Sequence, residues 1–222
     1  MPTSDESTRV RLLDAAGAVF ADRGFDKATV REICTRADVN LAAVNYHFGD
    51  KARLYVETLL HAHEVVFDQV PLPEWVEDTP PQKKLADFIE TMLQRMLLAR
   101  SLPWQARLMM REFVAPTTDC RELVETYIEP HNTLLMDIIG EMVPAETPQY
   151  SRFQIAFSVV GQCMFYKMNS ALMQAIVSEE EIAEHFGPAI LARHITAFSL
   201  AALGQTDHFQ NYLQTLSEEI SA

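Results

Sequence analysis

Residues 29–51 constrain this chain more than any other stretch: Thr-Val-Arg-Glu-Ile-Cys-Thr-Arg-Ala-Asp-Val-Asn-Leu-Ala-Ala-Val-Asn-Tyr-His-Phe-Gly-Asp-Lys. Thr29 and Glu32 stand in the T-x-x-E spacing of a capping box, which satisfies orphan backbone donors where a helix begins. Val30, Ile33, Cys34 and Ala37 follow as the apolar face of that helix. Ala37-Asp38-Val39-Asn40 reads as a four-residue turn, with Asn40 placed to cap the next helix. Helix 41–48 is small and apolar at its start and aromatic at its end. Asp50 then caps a third helix. Two short helices joined by a tight turn present a helix end to a DNA major groove. The expected partner is double-stranded DNA.

Charge raises an objection, because phosphate contacts need cations and the net charge is −13. The acid is unevenly placed. Residues 1–54 hold eight Lys and Arg against eight Asp and Glu, whereas residues 55–222 hold ten against twenty-three. The acidic excess thus belongs to the C-terminal part, which is expected to face away from DNA. Helix N-termini and backbone amides add phosphate contacts without formal charge. No apolar run reaches the roughly 18–20 residues that span a bilayer, and the polar, acidic start is unlike a signal peptide. Cys34, Cys120 and Cys163 are odd in number and far apart. They argue against a disulfide framework and fit a reducing cytoplasm. The expected location is cytoplasmic, with no membrane partner.

Nearly every segment has helical periodicity, so the expected fold class is all-α. A helix over 7–23 carries Leu12, Leu13, Ala16, Val19 and Phe20, and Gly24 ends it. A longer helix from Asp50 to about Val70 places Leu54, Tyr55, Thr58, Leu59 and Ala62 on one face. The proline-rich segment 71–81 is a connector. Segment 82–100 is amphipathic, and 103–114 opens with Pro103 in its first turn. Segment 119–143 contains Pro130, which should bend or split it. Segment 149–177 reads as one long helical run, Gly187-Pro188 precedes a helix over 189–203, and an amphipathic tail occupies 207–220. There is no β-strand alternation, internal repeat or low-complexity tract.

Leu12-Leu13-Asp14-Ala15-Ala16, Phe20, Arg23-Gly24-Phe25, Thr29-Val30-Arg31-Glu32-Ile33, Val39, Tyr46-His47-Phe48, Lys51 and Leu54 resemble, in order and spacing, the N-terminal domain of the TetR family of transcriptional repressors. Met110-Arg111-Glu112-Phe113, with Pro116 and Pro130 downstream, is similar to a subgroup that contains regulators linked to antibiotic sensitivity. The resemblance implies a homodimeric, ligand-responsive regulator, expected to be a repressor, bound to a near-palindromic operator. It implies a helix-turn-helix DNA-binding domain at 1–54 and a helical ligand-binding and dimerisation domain at 55–222. It also implies a base or phosphate contact at Arg31 and a phosphate clamp of Tyr46, His47 and Lys51. Thr29, Asn40, Leu41, Ala42 and Ala43 belong to the same expected face, the last three offering apolar contacts such as thymine methyls. Many family members carry Tyr where this chain has Asn45. An Asn can pair bidentately with adenine, so base reading is a role open to it.

Trp104, Met110, Arg111, Phe113, Tyr127, His131 and Phe165 are candidates to enclose a small, largely apolar effector. Methionines repack around varied ligands, and pockets combine apolar walls with a few polar anchors. The same residues equally suit an ordinary core. Phe153, Phe157, Val160 and Met164 recur at three- and four-residue spacing on one helix, and Ile195, Phe198 and Ala202 on another. The two stripes predict a four-helix interface between two copies. His61 and His63, two apart on a helix, point about 200° from each other and make a poor metal pair. No zincin, phosphate-loop or nucleophile-elbow motif is present. Neither a cofactor, a metal nor an enzymatic activity is expected. The alternatives are an effector-free DNA-binding or protein-recruiting factor and a helical-bundle enzyme.

Overall fold

A computed structural model describes residues 4–97, 102–116, 121–205 and 207. All regular elements among the described residues are helical. They run as α1 (Ser4–Lys27), α2 (Val30–Ala37), α3 (Leu41–Phe48), α4 (Lys51–Gln69), α5 (Pro81–Leu97), α6 (Pro103–Val114), α7 (Arg121–Leu123), a π-helical turn (Val124–Ile128), α8 (Glu129–Gly140), α9 (Gln149–Met168), α10 (Ser170–Ile176), α11 (Glu179–His185) and α12 (Pro188–Ala202). Among the described residues, no helix is long and apolar enough to cross a membrane.

Packing divides the chain into two compact units. One draws on residues 1–69 and 98–130, the other on 70–97 and 131–222. In the first, α1 packs against α2, α4 and α6, and α4 also meets α3, α6 and α7. The 3–4 spacing of Leu12, Leu13, Ala16 and Phe20 turns one face of α1 inward, onto Ile33, Val44, Leu54, Tyr55, Leu59 and Leu108. Gly24 breaks α1 at φ 77° and ψ 171°, after which the chain makes one more turn to Lys27. A side chain there would be strained, which is why glycine occupies the break.

In the second unit, α5 packs against α12 and α9. Leu85, Phe88, Ile89 and Leu93 of α5 share a core with Leu135, Ile138 and Ile139 of α8, Val159 and Cys163 of α9, and Leu191 and Ile195 of α12. Burial raises the Cys163 thiol pKa to about 12. The proline-rich connector does more than space two segments. Leu72 and Trp75 pack on this core, and Trp75 Nε1 donates to Asp87 at 3.1 Å.

Proline and asparagine reshape two of the predicted helices. The segment around Pro130 is split as expected, and the means is a π-turn, in which the Glu129 N–H reaches back to the Val124 carbonyl. Pro130 has no N–H for the carbonyl four residues back and its ring crowds that carbonyl, so the preceding turn widens. The run 149–177 is two helices, broken at Asn169 (φ −109°, ψ 26°), whose side chain donates to Phe165 O. Helix α11 was not predicted; Ser178 and Glu181 start it with a full capping box. The predicted tail 207–220 lies outside the described residues except for Asp207, as do residues 98–100 and 119–120 of two predicted helices.

Candidate nucleic-acid interface

The turn between α2 and α3 is set by local chemistry and one distant cation. Thr29 caps α2, its hydroxyl accepting the Glu32 N–H at 3.2 Å. The reciprocal half of the expected box is replaced: Glu32 accepts from Arg23 Nε at 2.9 Å, which ties the first turn of α2 to the end of α1. Asp38 stands in the left-handed region (φ 53°, ψ 53°), the only non-glycine residue to do so among those described. Aspartate tolerates that conformation better than most residues. Arg11 of α1 donates to the carbonyls of Ala37 and Asp38 at 2.8 and 2.9 Å. It thereby satisfies acceptors that the end of α2 leaves orphaned. The sequence reading missed Arg11, and no local pattern marks a partner 26 residues away.

Asn40 caps α3, accepting the Ala43 N–H at 3.0 Å, and Asp50 caps α4, accepting the Arg53 N–H at 2.8 Å. Val44 and Phe48 anchor α3 to the core. Its opposite face is therefore turned out: Leu41 is 56% exposed and Tyr46 76%, with Ala42 and Asn45 also exposed and Ala43 half-buried. Of the three clamp residues, Tyr46 is open. His47 is covered, its side chain 7% exposed and its Nε2 3.6 Å from Asp5. Lys51 is folded back at the head of α4, with Nζ 4.5 Å above the Phe25 ring and 3.4 Å from the Asp26 carbonyl.

Several cations of this unit are held internally. Arg9 pairs with Glu57 at 2.6 Å. Arg53 bridges Glu57 and Glu122, both at 2.5 Å, and the bonds to Glu122 and then Glu57 raise its pKa further. Among the described residues Arg31 and Arg36 have no such partner. With Thr29 and Thr35 they line a shallow groove beside α2. Arg36 was absent from the sequence-based set, since only the packing shows which basic residues stay unpaired.

The effector candidates fall in both compact units. In the first, Trp104 packs on the core with its ring 6.4 Å from that of His61. Tyr127 stacks on His63 at 5.1 Å and meets Phe67 edge-on at 5.3 Å. Burial, then Glu64 and Asp68, raise the Tyr127 hydroxyl pKa. Met110 is half-buried, and Arg111 and Phe113 are exposed. In the second unit, His131 Nε2 lies 2.9 Å from Arg95 Nη1, and Phe165 is exposed beside Tyr166. Arg95 also donates to the Val70 carbonyl, and burial lowers its pKa to about 10.

The expected interface stripes separate by exposure. Phe157 (63%), Phe198 (53%) and Ala202 face outward, and Phe153 and Val160 are half-buried. Ile195 is fully buried and Met164 nearly so. Ile195 belongs to the core of its own unit, because α12 packs against α5.

Two family models match the chain. The one described as "Bacterial regulatory proteins, tetR family" covers residues 12–58. The one described as "HTH-type transcriptional dual regulator CecR, C-terminal domain" covers 81–203. The chain is similar to YttP of Bacillus subtilis, described as a probable HTH-type transcriptional regulator, at 26% identity over 61% of this chain and 64% of that protein. It therefore spans just under two thirds of YttP. It is also similar to the dual regulator CecR of Shigella flexneri, at 24% identity over 76% of this chain and 79% of CecR. In fold it matches the fatty acid degradation regulator FadR of Bacillus halodurans, with a TM-score of 0.58 at 16% identity, covering 86% of this chain and 97% of that one.

Proposed function

The chain belongs to the TetR family of transcriptional regulators and carries a C-terminal domain of the CecR type; from that premise we propose a cytoplasmic, homodimeric repressor released from its operator by a small, largely apolar ligand. Its family consists of regulators, not enzymes. In this reading, residues 1–54 bind DNA and residues 55–222 bind the ligand and the second copy. One observation carries the DNA-binding part. Val44 and Phe48 hold α3 from one side and leave Leu41, Ala42, Asn45 and Tyr46 on the other as a single outward face. Arg31 and Asn45 read base edges, Leu41, Ala42 and Ala43 meet methyl groups, and Thr29, Asn40, Tyr46, His47 and Lys51 hold the backbone.

Two copies joined through Phe153, Phe157, Val160, Phe198 and Ala202 set their reading helices about one DNA turn, 34–36 Å, apart. The candidates for ligand contact are Met110, Phe113 and Tyr127 in the first unit, with Trp104 and Arg111 on the same stretch of chain, and His131 and Phe165 in the second. That the fold is shared with a fatty acid degradation regulator supports a ligand with an apolar body. It acts only through its different affinity for the two states, and a coupling of about 1–3 kcal/mol changes operator affinity about 5–150-fold. The name of the Shigella relative supports a second reading, in which the same protein also activates.

Selection of duplexes from a random pool by the purified protein tests the proposal. A near-palindrome bound by two copies is expected. A pool that stays random would overturn the DNA-reading role, and enrichment of a single half-site would overturn the dimer.

A further inference from the structure

Helix α6 lies against α1 along one complete face. Trp104, Arg107, Leu108, Arg111 and Glu112 stand at positions i, i+3, i+4, i+7 and i+8, on one side of α6, with Leu108 and Glu112 buried and the two arginines at its exposed edge. Leu108 enters the core. The other four each meet a defined point. The Trp104 ring lies over Gly17 of α1, so closely that a Cβ on Gly17 would stand 2.2 Å from it. Arg107 pairs with Asp22 at 2.8 Å. The Arg111 guanidinium covers Gly24, where a Cβ would come within 2.3 Å. Glu112, buried, accepts from the Tyr55 hydroxyl of α4 at 2.6 Å.

Gly17 is the informative position. It is buried inside a helix between Ala15, Ala16 and Ala18. Glycine inside a helix is less favourable than alanine, so helix propensity argues against it. The space it leaves is taken by the indole. The Arg107–Asp22 pair is solvent-exposed on both sides and adds little. The joint therefore rests on the indole over Gly17 and on the Tyr55–Glu112 bond. Tyr55 in turn meets Phe20 and Phe25 edge-on at 4.8 and 5.1 Å, and Phe25 underlies Lys51. Helices α1 and α4 are the ones on which α2 and α3 pack.

We infer that Trp104, seated on Gly17, is a positioning residue for DNA reading. It acts through α1 on the helix-turn-helix and touches no DNA. The inference rests on the DNA-reading role proposed above. It assigns Trp104 and Arg111 to the joint and leaves Met110, Phe113 and Tyr127 for the ligand.

The test uses the full chain and the duplex that the parent protein itself enriches from a random pool. Failure of that enrichment would count against DNA reading and is distinct from the outcomes below. Gly17→Ala forces the indole off its seat. Its affinity for the enriched duplex should fall about 5–150-fold, and its affinity for random duplex, set by phosphate contacts, by a smaller factor. Gly17→Ala/Trp104→Ala, which removes the clash, should bind the enriched duplex more tightly than Gly17→Ala alone. Trp104→Ala creates no clash and serves where Gly17→Ala does not fold; it should also narrow the ratio between the two duplexes. In a Trp75→Phe background Trp104 is the sole tryptophan, and its emission should shift on adding enriched but not random duplex. Unchanged ratios in both single variants would overturn the inference. So would equal losses on both duplexes, which mark a purely structural role.

Discussion

The outer face of α3 and the outer face of α9 and α12 both leave large rings in water, yet they are built on opposite terms. On α3, Leu41 and Tyr46 stand beside Asn45, whose side chain makes no hydrogen bond among the described residues. Donors and acceptors there stay open. On α9, Phe157, Phe165 and Met168 are exposed, and Ser158 and Gln162 beside them are bonded within the unit, Gln162 also to Ser199 of α12. Ser158 donates to the Gln154 carbonyl at 2.8 Å and Gln162 to the Ser158 carbonyl at 3.4 Å. The α3 face sets an open amide beside its exposed ring, whereas the α9 face offers mainly hydrocarbon, with Ser158 and the Gln162 amine bonded within the unit. The first suits base edges and the second suits another apolar surface.

The largest effect should come from charging the apolar face. Phe198→Glu keeps its carboxylate in water within one copy, so the fold should persist while the pair dissociates. Losing bivalent engagement should weaken operator binding about 10²-fold or more. Sedimentation and duplex titration measure both, and a dimer that survives would break the comparison. Next, Asn45→Ala should cost about 1–3 kcal/mol against the enriched duplex, concentrated at particular base pairs. Gln162→Ala, whose amide is already spent, should cost nothing there. Equal losses would mean that an open amide is not what distinguishes the faces.

Lys51→Ala should have a smaller and less selective effect. It should weaken binding to all duplexes and reduce the salt slope by about one unit, the mark of one lost phosphate contact. An unaltered slope would show that Lys51 stays on Phe25 when DNA is bound. The smallest effect concerns α11. Hydrogen bonds from the Ser178 hydroxyl and backbone N–H hold the Glu181 carboxyl below its ordinary value of 4.5. Because the folded value is depressed, the stabilisation is full above the ordinary value and disappears as pH falls through the lowered one. Amide exchange in α11 should therefore quicken only in acid, and Ser178→Ala, which leaves the backbone N–H in place, should weaken that dependence.

Much of the interface was legible because its rules are local. The caps at Thr29, Asn40 and Asp50, the break at Gly24 and the split before Pro130 all depend on residues within a turn of each other, and each formed. So did the all-α class, because apolar residues recurring every three or four positions can close a core only as helices. The same rules stopped short wherever a distant group competed. Glu32 satisfied the spacing of a capping box, but Arg23 of α1 took its carboxylate. His47 stands in the expected clamp, but its Nε2 lies 3.6 Å from Asp5, a neighbour that spacing does not announce.

Consecutive residues thus decide which segments coil, where each helix begins and which stripe is apolar. They do not decide which neighbour a stripe will meet. Ile195 and Phe198 lie three residues apart on one predicted seam, and only the packing of α12 on α5 sent Ile195 into the core and left Phe198 in water. Gly17 weakens α1 by helix propensity alone, and Trp104, 87 residues later, fills the space above it. Backbone hydrogen bonds and caps act over a turn, so sequence spacing records them. Burial and side-chain pairing act through space, and only the folded chain brings their partners together.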